Sequence, residues 1–289
     1  MVRVVTPMYL CRFRVVNNHH SSITFAWCPA YVKIAECFLE EDETIEADAA
    51  VTKAGGVVES ITNPEQNMAL ILRYKSTYAR VLDSNRKFSA AASRYHDLSL
   101  SGTDMIDSDD LLQMLGRAAT CAILSSGPQR QRVLALVYKD SRLNQLDSIQ
   151  SFEGHSTILK KMYKHQVLKK DELVKFEASL APHQKAVMGD GLTIIERAVL
   201  EHNMIAVSKL YRSIYFTELG RILGVDTIKA EKIAANMIMS DVLNGTIDQV
   251  EGLLNFVTDQ SEQEIWDRSI ISFCGELNMI AEEVKAEQA

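Results

Sequence analysis

The chain has 289 residues, 47% hydrophobic and 24% charged, with a formal net charge of −7. That composition is globular, long enough for one large or two modest domains, and excludes disorder as its main character. The acidic balance argues against broad capture by nucleic acid or an anionic membrane, and the apolar runs are too short to predict a transmembrane helix.

The opening is unlike the rest. Arg3, Arg12, Arg14 and Lys33 are the only charges before Glu36, which weakly suggests an organelle transit peptide. Pro7 interrupts the start, Asn17 to Ser22 forms a polar break and no helical stripe links the arginines. The reading for residues 1–28 is therefore an atypical or disordered segment.

Residues 29–212 read as a right-handed array of amphipathic helices. Tyr31, Ile34, Ala35 and Phe38 keep helical spacing, and after an acidic turn at Glu40 to Glu43 a partner helix carries Ile45, Ala49 and Thr52 up to Gly55 and Gly56. Asn63, Pro64 and Gln66 form the start signal of the next helix, a capping-box arrangement with proline at the first helical position. That helix runs to about Leu82. A turn over Asp83 to Asn85 leads to another with Phe88, Ala91, Ala92, Tyr95 and Leu98. The Ala91 to Tyr95 spacing resembles a tetratricopeptide unit, but Ile45 and Phe88 repeat at 43 residues, so no strict repeat family is assigned. Further helices are predicted at Asp109 to Leu124, Pro128 to Tyr138, His155 to Leu168, Asp171 to Leu180 and Leu192 to Leu210. In the last, Ile195, Ala198, Val199, His202, Ile205, Ala206 and Leu210 form one core-facing stripe. The polar loop Pro182-His183-Gln184-Lys185 reads as a device fixing the approach of two helices.

Residues 213–259 follow winged-helix order. After a strand-like lead-in, Thr217 is the expected N-cap of a helix from Glu218 to Leu223, Gly224 ends it, and Asp226 caps a second helix to about Met239. Thr246 to Val250 and Leu253 to Val257 then read as a β-hairpin wing with Glu251 and Gly252 in the turn. A DNA reader of this kind would need basic residues for the phosphates. Here Arg221, Lys229 and Lys232 face Glu218, Asp226, Glu231, Asp241, Asp248, Glu251 and Asp259, three against seven, a net −4. That balance points to protein contacts. A final helix is predicted from Ser261 to about Val284, with Ile265, Trp266, Ile270, Phe273, Leu277 and Ile280 in a long apolar stripe suited to a neighbouring chain.

Chemistry is not visible. The five cysteines are scattered and odd in number, which fits a reducing compartment, and the seven histidines form no HxH, HExxH or His-Cys cluster. Phosphate-loop, dinucleotide and nucleophile-elbow patterns are missing, so no catalytic residue, cofactor or metal is expected. Asp109 with Asp110 and Glu282 with Glu283 read as solvated surface. His202 reads as a buried histidine bonded to backbone.

A helical array entering a winged helix and then a C-terminal helix resembles the PCI module shared by the proteasome lid, the COP9 signalosome and a translation-initiation complex. The blocks at Tyr78 to Ser99, Pro182 to Ala186, Ala198 to Tyr211, Lys229 to Ile238 and Gly245 to Phe256 resemble the signalosome's PCI subunits in particular, over roughly Tyr31 to the C-terminus. The resemblance implies a non-catalytic scaffold, present in nucleus and cytoplasm, in a complex that removes Nedd8 from cullin-RING ubiquitin ligases with a zinc-bearing subunit elsewhere. It implies other signalosome subunits as direct partners, cullin-RING ligases as partners through the complex, and no nucleic acid or membrane. Relatives carry further N-terminal helical repeats, so the expectation is a chain lacking part of that arm. The candidate partner-binding residues are Ile247, Gln249, Leu254 and Phe256 in the wing, which would offer an open strand edge, and Ile270, Phe273 and Leu277 in the last helix. A proteasome-lid PCI scaffold and a winged-helix nucleic-acid binder are the alternatives.

Overall fold

The computed structural model describes residues 20–59, 67–101, 106–189, 191–257 and 262–287. They fall into two compact units: the chain up to Tyr163 with Lys169–Ala198, and Lys164–Leu168 with Val199 onward. The division between the units falls inside a helix, near residue 198.

The first unit is helical. Helices α1 (His20–Glu40) and α2 (Thr44–Val58) pair through Ala35, Ala47, Ala50 and Val51, small and β-branched side chains that let the backbones approach closely. Residues 20–28, expected to be irregular, are helical, and Pro29 lies inside α1; residues 1–19 lie outside the described residues. The glycine pair does not end α2 either. A Cβ on Gly55 would lie 2.7 Å from the Tyr74 hydroxyl, so this glycine makes room for an aromatic side chain rather than a turn.

The predicted capping box at Asn63 lies outside the described residues, and α3 is described from Met68 to Ser84. It is followed by α4 (Phe88–Ser99), α5 (Ser108–Leu124) and α6 (Arg130–Tyr138), close to the predicted spans. Two 3-10 segments that the periodicity did not reveal, Ser141–Ser148 and Gln150–Phe152, lead into α7 (His155–Tyr163). Helix α7 stops five residues short of the expected Leu168. His165 takes a left-handed backbone conformation (φ 53°), which a helix cannot continue through. Helix α8 (Lys170–Ser179) and a 3-10 turn at Pro182–Lys185 follow. Helix α9 (Ile194–Ser208) starts on a reciprocal cap: the Thr193 hydroxyl accepts from the Glu196 N–H (3.2 Å) while Glu196 accepts from the Thr193 N–H (2.9 Å).

The stripe expected on α9 is wider than one face, since Leu200, Asn203, Met204 and Val207 are buried as well, and Leu210 is exposed beyond the helix end. In the second unit, the Asn203 amide accepts from the Leu168 N–H at 2.9 Å and donates to the Leu168 carbonyl at 3.0 Å. That pair fastens residues 164–168 to the later turns of α9. His202 bonds the Gln166 carbonyl at 2.9 Å, the backbone-satisfied role read from the sequence.

The rest of the second unit is β1 (Ser213–Tyr215), α10 (Phe216–Leu223), α11 (Thr227–Met239), β2 (Gly245–Asp248), β3 (Leu253–Phe256) and α12 (Glu262–Glu287). Helix α10 starts two residues earlier than Thr217 would place it. The Phe216 N–H donates to the Gly252 carbonyl at 2.9 Å and its ring is buried, which fixes the first turn against the hairpin. Gly224 ends α10 in the left-handed conformation, as predicted. The lead-in strand joins the hairpin in one antiparallel sheet of order β1-β3-β2, so β3 is central. Ile214, Leu219, Ala230, Ala234, Met237, Leu254 and Phe256 form its core side.

Candidate partner-binding surfaces

Register decides which backbone groups of the sheet remain open. Thr246 pairs with Asn255 and Asp248 with Leu253, and the Val257 N–H donates to the Asn244 carbonyl. Antiparallel alternation then turns the N–H and C=O of Ile247 away from β3. On the other side, the Phe256 N–H donates to the Arg212 carbonyl and the Phe216 N–H to the Gly252 carbonyl, which turns the backbone of Ser213 and Tyr215 outward. Among the described residues no further strand pairs with either edge, and an unpaired edge is the kind of surface to which a strand can add.

The wing candidates divide on this geometry. Ile247 lies on the β2 edge, half-buried, where its backbone can meet a partner. Gln249 is not in the strand, which ends at Asp248, but in the turn, and its side-chain amide donates to Glu231 at 2.8 Å. The Asp248 carboxylate sets that turn by accepting from the Val250 and Glu251 N–H groups. Leu254 is 0% exposed and Phe256 6%, and β3 is paired on both sides. Their side chains are therefore core, and the reading of them as contact residues is corrected: two strands flank β3, leaving it no edge.

The α12 candidates all face solvent. Ile270, Phe273 and Leu277 are 48%, 61% and 49% exposed, far above what a large apolar side chain in a core shows. Trp266 and Ile280 extend the row, and the steps 266, 270, 273, 277, 280 alternate four and three, the spacing of a helix seam that packs against other helices. The site reading omitted these two ends, though the 4-3 alternation was legible in the sequence. Beside β2, Glu231 and Ala235 of α11 line a groove with Thr246, Ile247 and Asp248. Nothing in the sequence order marked Glu231 as its neighbour.

In the first unit, Gln184 donates to both carboxylate oxygens of Asp83, at 3.0 and 3.2 Å, and His183 lies 3.2 Å from the same group. Burial and then this carboxylate push the Cys121 thiol up, so it is a poor nucleophile. His155 is fully buried against Phe152 and Phe176, with its Nε2 3.1 Å from the Thr120 hydroxyl, and burial lowers its pKa to about 4. Among the described residues no group of three His, Cys, Asp or Glu is placed to hold a metal ion, and no helix is long and apolar enough to cross a membrane.

Residues 155–257 match the PCI domain family, from the start of α7 through the hairpin. That stretch thus carries a PCI domain, in which helical elements precede a winged-helix sheet. The chain is homologous over most of its length to subunit 4 of the COP9 signalosome. Identity is 43% over 255 residues with the protein of that name from Arabidopsis thaliana, covering 86% of this chain and 62% of the relative. For Dictyostelium discoideum it is 40%, covering 88% and 61%, and for Drosophila melanogaster 39%, covering 89% and 60%. The chain spans about three fifths of the length of these relatives.

Proposed function

We propose that this chain is a non-catalytic scaffold subunit of a COP9 signalosome, acting in the nucleus and cytoplasm. It holds neighbouring subunits through its open sheet edges and through α12, and so supports removal of Nedd8 from cullin-RING ligases by a catalytic subunit elsewhere in the assembly. The observation that carries this reading is the α12 seam: Trp266, Ile270, Phe273, Leu277 and Ile280 in 4-3 spacing, all exposed to water. Burying each such side chain against a partner contributes roughly 1.5 to 3 kcal/mol, enough for several together to hold a subunit in place. The similarity to proteins named subunit 4 of the COP9 signalosome supports the choice of assembly.

Co-expression with the other signalosome subunits and affinity purification tests it. The wild-type chain should co-purify stoichiometrically. A double change Phe273→Asp and Leu277→Asp should abolish incorporation, because it would bury two carboxylates, while leaving the isolated chain folded. Incorporation of the double variant at the wild-type level would refute this use of α12.

A further inference from the structure

The scaffold reading assigns a strand-accepting edge to β2 without saying what kind of strand it accepts. The groove beside that edge is bounded by Glu231 and Ala235 of α11 and by Thr246, Ile247 and Asp248 of the strand. Its lining includes two carboxylates and no cation. Glu251, exposed in the following turn, and Asp241, exposed beyond the end of α11, add to the same sign. The nearest bases on α11 are turned elsewhere: Lys232 lies about 100° and Lys229 about 200° round the helix from Glu231. Among the described residues Glu231 accepts from a neutral donor, the Gln249 amide at 2.8 Å. A guanidinium or ammonium makes a charge-assisted bond about twice as strong, so a basic side chain displaces that amide.

A strand added to β2 would hydrogen-bond to the outward N–H and C=O of Ile247, and its alternate side chains would lie over the α11 side of the sheet, next to Ala235 and Glu231. The small Ala235 leaves room for a long side chain. We infer that the β2 edge selects a partner strand carrying arginine or lysine on its α11-facing side, set against Glu231. This rests on the edge-addition reading above and adds the chemistry of the occupant.

The test uses the full chain and labelled peptides followed by fluorescence anisotropy at low salt. One peptide alternates arginine with valine, a second carries glutamate in place of arginine, and a third is the arginine peptide with N-methylated backbone amides. The arginine peptide should bind at least tenfold more tightly than the glutamate peptide and weaken as salt rises. Glu231→Gln should erase that preference and Glu231→Lys reverse it. Ile247→Pro and backbone N-methylation should each abolish binding, with circular dichroism showing that the variants remain folded.

Equal binding of the arginine and glutamate peptides, still lost on N-methylation, would overturn the charge selection and leave edge addition standing. Arginine-peptide binding that survives both N-methylation and Ile247→Pro would remove the edge reading and the inference with it. Failure of both unmethylated peptides to bind at millimolar concentration would also overturn the inference. Sedimentation showing dimers of the chain alone, lost in Ile247→Pro, would give the edge to a second copy instead.

Discussion

Gln184 holds Asp83 across 101 positions of sequence, its amide nitrogen shared between the two carboxylate oxygens at 3.0 and 3.2 Å. Both side chains are buried, so the bond ties the 3-10 turn after α8 to the end of α3 in surroundings where a lost partner cannot be replaced by water.

Replacing Gln184 by Ala should therefore destabilise the chain by about 1 to 3 kcal/mol, the cost of leaving a buried carboxylate short of a donor. Gln184→Glu should cost more, because it sets two carboxylates together. His183→Ala should cost less, since that ring is nearly a third exposed. Urea denaturation of the three variants should give this order.

His155 predicts an acid-sensitive window. Its folded pKa of about 4 lies below the ordinary 6.5, so folding favours the neutral ring. Its contribution is fully present above pH 6.5 and is lost as the pH falls toward 4, on the order of 3 kcal/mol at most. His96, also held below 6.5 by burial, adds in the same direction. The carboxylates held low by arginines, Glu36 by Arg73 and Asp140 by Arg142, lose their contributions only at lower pH. Urea midpoints measured from pH 7 to pH 4 should fall, and His155→Gln should flatten part of that slope. An unchanged slope in the variant would contradict this assignment.

Gly116 should not tolerate a methyl group. A Cβ there would lie 2.5 to 2.7 Å from three carbons of the Phe152 ring, which packs edge-on against His155. Gly116→Ala should cost about 1 to 3 kcal/mol by overpacking, and adding Phe152→Leu should recover part of it. Thermal unfolding of the single and double variants gives the coupling.

At the sheet edge, Ile247→Pro should weaken co-purification with signalosome subunits more than Ile247→Ala. The N–H it removes points outward, so the β2–β3 ladder keeps its bonds and the domain should stay folded. Equal co-purification of the two folded variants would rule out strand addition at β2. Proline at Gln249 would probe only the turn.

Much of this architecture was legible because long amphipathic helices carry a strong period: α5, α6, α8 and α11 lie within two residues of their predicted limits. The rest depended on contacts distant in sequence. Gly55 looks like a stop signal until Tyr74 is seen against it, and α7 ends where His165 turns left-handed. The wing pattern gave the apolar positions Ile247, Leu254 and Phe256 but not the sheet order. Only the pairing of β1, some 40 residues upstream, makes β3 central and removes its free edge, while Leu254 and Phe256 lie on the buried face of the sheet.

The exposed row on α12 also bears on the life of the chain before it has partners. An apolar helix seam in water does not discriminate: it adheres to whatever apolar surface arrives first, including the same helix on a sister molecule. Under the scaffold reading proposed above, an orphan chain would be short-lived or aggregating, and its abundance would follow that of its neighbours. Stoichiometry within such an assembly can be enforced by solubility alone, with each subunit persisting only as far as there are partners to cover it.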